Sequence, residues 1–188
     1  MSALDTFQDF VAQMPEVLQP VAVALVGAVP FVEGEGAVTV GIIGGIHPLV
    51  AGIAAVAGNI LCVLVVVLVT AGTRRAIVTR HRARVSAREA VAVGGGTVAV
   101  EELEARERAE AATSPRKQKF FRALDKYGVP GVSLLGPLLL PTMFTAATLA
   151  GIGISRGRIM FWQTLAIIGW TSIVGALIWV VLQSALGA

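Results

Sequence analysis

Apolar residues gather in this chain into stretches of two kinds. Residues 49–72 and 159–186 are long and almost unbroken, and a helix of about 20 apolar residues crosses a hydrocarbon core. Both are therefore expected to be transmembrane helices. Residues 17–32 and 129–154 are as apolar but are cut by proline and glycine. In the second, Pro130, Pro137 and Pro141 alternate with Gly131, Gly136, Gly151 and Gly153, poor material for one continuous helix. A helix pair that enters and leaves on the same side, turning near residues 136–141, fits it better. The first interrupted stretch reads the same way: residues 17–32 enter, "PFVEGEG" turns, and "AVTVGIIGG" returns before "IHP". The predicted fold is all-α and membrane-embedded, with two halves at 17–72 and 128–188. Each half holds a re-entrant hairpin (17–46, 129–154) followed by a transmembrane helix (49–72, 159–186).

Charge sets the topology. Thirteen of the fifteen Lys and Arg residues, with seven of the twelve acids, fall within residues 73–127, a local charge of +6. The positive-inside rule assigns that linker to the cytoplasm and both termini to the outside. Arg156 and Arg158, between the second hairpin and the last span, would face the cytoplasm too. The two halves then start from opposite sides, an inverted repeat of the kind that places transport sites at mid-membrane. In the linker, "VGGGTVA" reads as flexible. Glu102/Arg106 and Glu104/Arg108 are i,i+4 pairs in the favourable order, which predicts a solvated helix. Ser114-Pro115 supplies a cap and a first-turn proline for "RKQKFFRALDKYG". That helix suits the anionic inner leaflet, and it equally suits docking on the protein's own cytoplasmic face.

Composition agrees with membrane residence. Of 188 residues, 55% are hydrophobic and only 14% charged, against about 25% charged in a soluble domain. The first 16 residues, an expected amphipathic segment, carry Asp5, Asp9 and Glu16 without a base. They lack the positive start of a cleaved signal and are expected to persist. Cys62 stands alone in an apolar run, which leaves packing as its expected role. Because the positive charge is confined to one loop, a nucleic-acid partner is not expected.

The candidate chemistry centres on two carboxylates. Glu33 and Glu35 stand in apolar, glycine-rich sequence, and a lipid-facing charge at mid-membrane costs about 2.5–3.5 kcal/mol. Either "VEGEG" is a solvated outer loop, or at least one glutamate occupies a cavity and exchanges a proton or binds a cation. The flanking stretches are short for full spans, which favours the cavity. Pro30, Gly34 and Gly36 are expected to let the backbone turn and approach closely. In the second hairpin, Pro137 and Pro141 mark the turn, and Thr142, Thr145 and Thr148 recur every three residues after it. These threonines line one face of a return helix whose N-terminus favours an anion, or they bond their own backbone. Asn59 and Gln163 are expected to bond between helices or, alternatively, to touch substrate, Asn59 as an accessory site residue. His47 is an accessory candidate at a helix boundary, as are Arg156 and Arg158; Trp162, Trp170 and Trp179 read as packing and interface anchors.

"PFVEGEGAVTVGI" followed by "AGIAAVAGN", together with "KYGVPGVSLLGPLLLPTMFTAATLAGIG", resembles the small multidrug export proteins, distant members of the DedA-like superfamily. The family's first motif reads P-x-x-E-x-R-G-A-x-P. Pro30, Glu33, Gly36 and Ala37 match it, whereas Glu35 replaces the arginine and Thr39 the second proline. The resemblance implies a multi-pass protein of a bacterial inner membrane that exports lipophilic cations. DedA-like relatives are instead associated with moving lipids, including polyprenyl phosphates. Since the intramembrane charge here is wholly acidic, proton-coupled export of a small cationic or lipophilic substrate is the leading expectation and lipid translocation the second. A scaffold that recruits a partner through the linker is a third. A lipid-phosphate hydrolase using the glutamates with His47 is the least favoured, as no nucleophile motif or metal-ligand cluster accompanies them, so neither enzyme activity nor a cofactor or metal is expected. The expected partners are membrane lipids, protons or cations, and a second copy of the chain, since two full spans are few to enclose a path.

Overall fold

A computed structural model of the chain describes residues 14–89 and 115–186. Among the described residues the chain is entirely helical. Six helices follow in order: α1 (Gln19–Gly27), α2 (Glu33–Ile43), α3 (Pro48–Glu89), α4 (Pro115–Leu139), α5 (Thr142–Gly151) and α6 (Arg156–Leu186). The expected flexible linker at residues 94–96 and the paired-charge helix near residues 101–112 lie outside the described residues, as do residues 1–13 of the N-terminal segment.

Local sequence explains where the helices stop. Pro20 occupies the first turn of α1, where its missing N–H is no loss. The chain then breaks over residues 28–32 around Pro30, and the next helix starts at Glu33 itself. The turn therefore precedes "EGEG" instead of running through it, and Gly34 and Gly36 are helical. The left-handed backbone falls on Phe31 (φ 72°) and Glu33 (φ 53°). Helix α2 ends at Gly45, φ 86°, with Gly45 N–H donating to the Ile42 carbonyl and Ile46 N–H to that of Gly41. This paired bonding with a left-handed glycine is a Schellman cap. Helix α5 ends identically: Gly153 has φ 89°, its N–H donates to the Ala150 carbonyl, and Ile154 N–H donates to that of Leu149. The first half thus runs short helix, proline-bearing break, short helix, Schellman turn, long helix, and the second half runs the same order from the part of α4 that follows its kink at Gly128, with Pro130 and Pro137 inside that helix instead of breaking it.

The long helices exceed their expected bounds. Helix α3 runs on past residue 72 to Glu89, because nothing between Thr73 and Glu89 is Gly or Pro and the arginines and alanines there are good helix formers. Its segment Pro48–Arg80 and Arg156–Ala185 of α6, whose most apolar 18-residue windows have mean hydropathy 2.7 and 2.3, are long and apolar enough to cross a membrane. Only 33% and 22% of their most apolar windows are buried, which separates them from the core helix of a soluble protein. Leu49, Ile53, Leu61, Val69, Leu177 and Val181 stand on the outside. So continuous an exposed apolar surface marks membrane association.

The chain forms two compact units. The described residues of the first are 14–64, 141–143 and 163–186. Its core joins Val23 of α1, Ala37, Val38 and Ile42 of α2, and Ala51, Ala54 and Ala55 of α3, with Val174, Ile178 and Leu182 of α6 packed against it. Small residues bring these helices together, as membrane helices require. A methyl group on Gly58 would collide with the main chain of Ala24, and one on Gly27 would meet the Ala55 carbonyl oxygen at 2.7 Å. The described residues of the second unit are 65–89, 115–140 and 144–162. Helix α4 kinks within it at Gly128, φ 66°. The basic, aromatic segment before the kink is docked on the protein: Phe120 is 1% exposed and meets Phe121 edge-to-face at 5.6 Å. Lys119, Arg122 and Lys126 remain on the outside.

Candidate functional site

The candidate site lies in the first unit, where the start of α2 meets the Pro141–Met143 turn. Glu33 is the first residue of α2 and only 6% exposed. Its Oε1 accepts the Thr142 N–H at 2.5 Å, and its Oε2 accepts the Thr142 hydroxyl. Thr142 opens α5 immediately after Pro141. Its N–H has no partner within that helix and points at the end where the helix dipole favours negative charge. A residue 109 positions earlier thus serves α5 as its capping carboxylate. The free N–H at the start of α5 meets the Glu33 carboxylate.

Glu33 holds this position with φ at 53°, a region that residues other than glycine, asparagine and aspartate seldom occupy. Strain of this kind persists only where surrounding contacts over-determine it, and it gathers at binding and switching sites. Here the two bonds to Thr142 and the packing of Gly34 supply those contacts. A Cβ on Gly34 would fall on the Thr171 hydroxyl of α6 and 3.5 Å from Asn59 Nδ2 of α3. Close approach, not turning, is therefore what Gly34 provides. Gly36 is likewise helical, with Val32 Cγ1 at 2.7 Å from where its Cβ would be.

Around this turn the polar groups are buried without partners. Asn59 is fully buried and Thr171 nearly so; neither amide atom of Asn59, nor the Thr171 hydroxyl, has a hydrogen-bond partner among the described residues. Gln163 of α6, in the same unit, is in the same condition. The interhelical bonds expected of Asn59 and Gln163 are not made. Each such group loses about 1–3 kcal/mol of solvation, a cost that a bound polar ligand, ion or water would offset. Thr171 also lines a cavity of about 630 Å³ whose other walls are largely apolar, among them Val38, Ile53, Ile168 and Trp179. That volume falls in the range of small-molecule sites. Cys62 and Met143 bring their sulfurs to 3.5 Å in the same unit.

Comparison with protein-family models, characterised proteins and solved structures finds no match.

The remaining candidates divide by location. Glu35 is half-buried, and its carbonyl accepts the Thr39 hydroxyl at 2.7 Å. Pro30 is exposed in the break, and Pro137 and Pro141 are partly buried. Thr145 belongs to the second unit, buried with an unpartnered hydroxyl 3.2 Å from where a Cβ on Gly136 would stand. Thr148 bonds the Phe144 carbonyl at 2.8 Å, the backbone use open to all three threonines. His47 is exposed and caps α3, its Nδ1 accepting the Leu49 N–H at 3.3 Å. Arg156 and Arg158 are exposed in the first turn of α6. Sequence reasoning missed Thr171, which sits with Ser172 in an apolar run, and the Glu33–Thr142 pairing, whose partners are 109 positions apart. Among the described residues no three His, Cys, Asp or Glu side chains gather as a metal site would need.

The geometry suits proton exchange. With Glu33 ionised, both oxygens accept from Thr142. With a proton on Oε2, the O–H can donate to Thr142 Oγ1 instead, since a hydroxyl both donates and accepts. The Thr142 N–H bond to Oε1 survives either way.

Proposed function

We propose that this chain is an inner-membrane transporter that couples the protonation of Glu33 to export of a lipophilic cation. The observation that carries the reading is the burial of the Glu33 carboxylate against the N-terminus of α5, beside unpartnered polar groups and an apolar cavity. A carboxylate in apolar surroundings exchanges a proton for a cation because it cannot hold bare charge without a partner. Thr142 lets it do so without losing its place. The apolar walls around Thr171 would receive the hydrophobic body of the substrate, and Glu33 its charge. The matching order of elements in the two halves supports paired re-entrant hairpins of inverted topology, with the linker cytoplasmic and both termini outside. It also agrees with the resemblance to small multidrug export proteins. Two spans are few to enclose a path, which favours a homodimer.

The test is uptake of an ethidium-like cation into proteoliposomes under an imposed pH gradient. Glu33→Gln keeps the shape and both contacts to Thr142 but cannot ionise, so gradient-driven flux should vanish. Glu35→Gln should slow flux and leave it measurable, since Glu35 is only half-buried. Absence of flux above empty liposomes, with the protein shown folded, would sink the proposal for this cation and bring lipid-phosphate translocation forward.

A further inference from the structure

The second unit contains a cleft that the glutamate site does not use. About 610 Å³ in volume, it is lined by Arg74, Arg75 and Thr79 of α3 and by Gly153, Ser155 and Arg156 at the turn into α6. Arg75 and Arg156 share this one concavity, and no carboxylate is among the described residues that line it. Like charges on one concavity are eased by an anion between them.

The cleft is built by packing, not by chance exposure of side chains. Gly153 has φ 89°, and the Arg74 guanidinium lies on it, with Cζ and Nη2 both 2.8 Å from where a Cβ would stand. Only glycine accepts both that backbone and that neighbour. Arg74 thereby holds the α5–α6 turn against α3, leaving Arg75 and Arg156, both exposed, to face an incoming group. The carbonyls at the end of α5 are taken up within the chain by the N–H groups of Ile152, Gly153 and Ile154. Ile159 N–H makes an early intrahelical bond of α6, to the Ser155 carbonyl. The N–H groups of residues 156–158 precede it and add positive field to the mouth of the cleft.

We infer that this cleft binds a phosphate-bearing anion between Arg75 and Arg156. Arginine's planar fork takes phosphate in bidentate fashion, and the hydroxyls of Thr79 and Ser155 offer further donors. The cleft lies at the basic end of both apolar spans, where basic pockets between membrane helices hold lipid headgroups. The shared chemistry is the phosphate; an anionic phospholipid and free phosphate are its two sources. The inference is independent of the transport reading and of Glu33.

Native mass spectrometry of the full chain in detergent, titrated with phosphatidylglycerol, phosphatidylcholine or inorganic phosphate, tests it. Phosphatidylglycerol should be retained in preference to phosphatidylcholine, and the double substitution Arg75→Gln/Arg156→Gln should weaken it about tenfold or more, the loss of a charged bidentate contact on each side. Arg75→Lys/Arg156→Lys should keep part of the binding, and Arg122→Gln, exposed and outside the cleft, all of it. Phosphate binding with the same arginine dependence, in the absence of lipid binding, would support the site and assign it a soluble ligand. Failure of both ligands to bind, or lipid binding indifferent to the Gln pair, would overturn the inference. Should the Gln pair not fold, the single substitution Arg75→Gln, at an exposed position, carries the same test.

Discussion

Thr142→Val isolates the contact on which the candidate site turns. Valine keeps the shape of threonine and the backbone N–H, so the bond from Thr142 N–H to Glu33 Oε1 survives. What disappears is the hydroxyl donor to Oε2, at a residue 1% exposed, where water cannot replace it. A hydrogen bond to a charged group is worth about 1.5–3 kcal/mol. A chain of this length loses about 2–4 °C in midpoint per kcal/mol, so thermal unfolding in detergent should fall by about 3–12 °C. Thr142→Ser, which keeps the hydroxyl, should lose much less. The double-mutant cycle with Glu33→Ala, which removes both contacts to Thr142, cancels generic effects of each change, and residues in direct contact show coupling of about 0.5–3 kcal/mol. A midpoint for Thr142→Val within about 1 °C of wild type, or strict additivity with Glu33→Ala, would refute the pairing and the site built on it.

The other predictions are simpler. Gly34→Ala places a methyl on the Thr171 hydroxyl and should destabilise the protein by about 1–3 kcal/mol; Thr171→Ala in the same chain should recover part of the midpoint. Gly58→Ala should cost more, because its methyl meets main-chain Ala24 C at 2.6 Å and Cα at 2.7 Å, atoms that cannot rotate aside; comparison of the two midpoints checks it. Gln163→Leu removes a fully buried amide with no partner among the described residues, so thermal stability should hold or rise by about 1–3 kcal/mol. If Gln163 serves substrate, cation flux should fall in the same variant, and unchanged flux would confine it to packing.

Much of the architecture is legible along the chain because it is set by local physics. Runs of apolar residues long enough to span hydrocarbon cannot be solvated, so residues 49–72 and 159–186 announced themselves. Proline and left-handed glycine often end a helix, so Pro30, Gly45, Pro141 and Gly153 mark breaks, whereas Pro130 and Pro137, expected to break the second stretch, stand inside α4, and Gly34 and Gly36 stand inside α2. The exact end of α3 was less visible, because the boundary between membrane and water does not interrupt a helix that has neither Gly nor Pro. The glutamates stood out by cost alone: a carboxylate in apolar sequence demands an explanation at any position. Which group answers it was beyond the reach of sequence. Thr142 is 109 residues from Glu33, and nothing in the spacing of either stretch specifies that one meets the other. The same holds for Thr171 against Gly34, and for Arg75 beside Arg156. Helix propensity and hydrophobic run length depend on neighbours within a few positions, whereas a site depends on which faces of separate helices come into register. That is decided only when small residues such as Gly27, Gly34 and Gly58 let the helices close on one another.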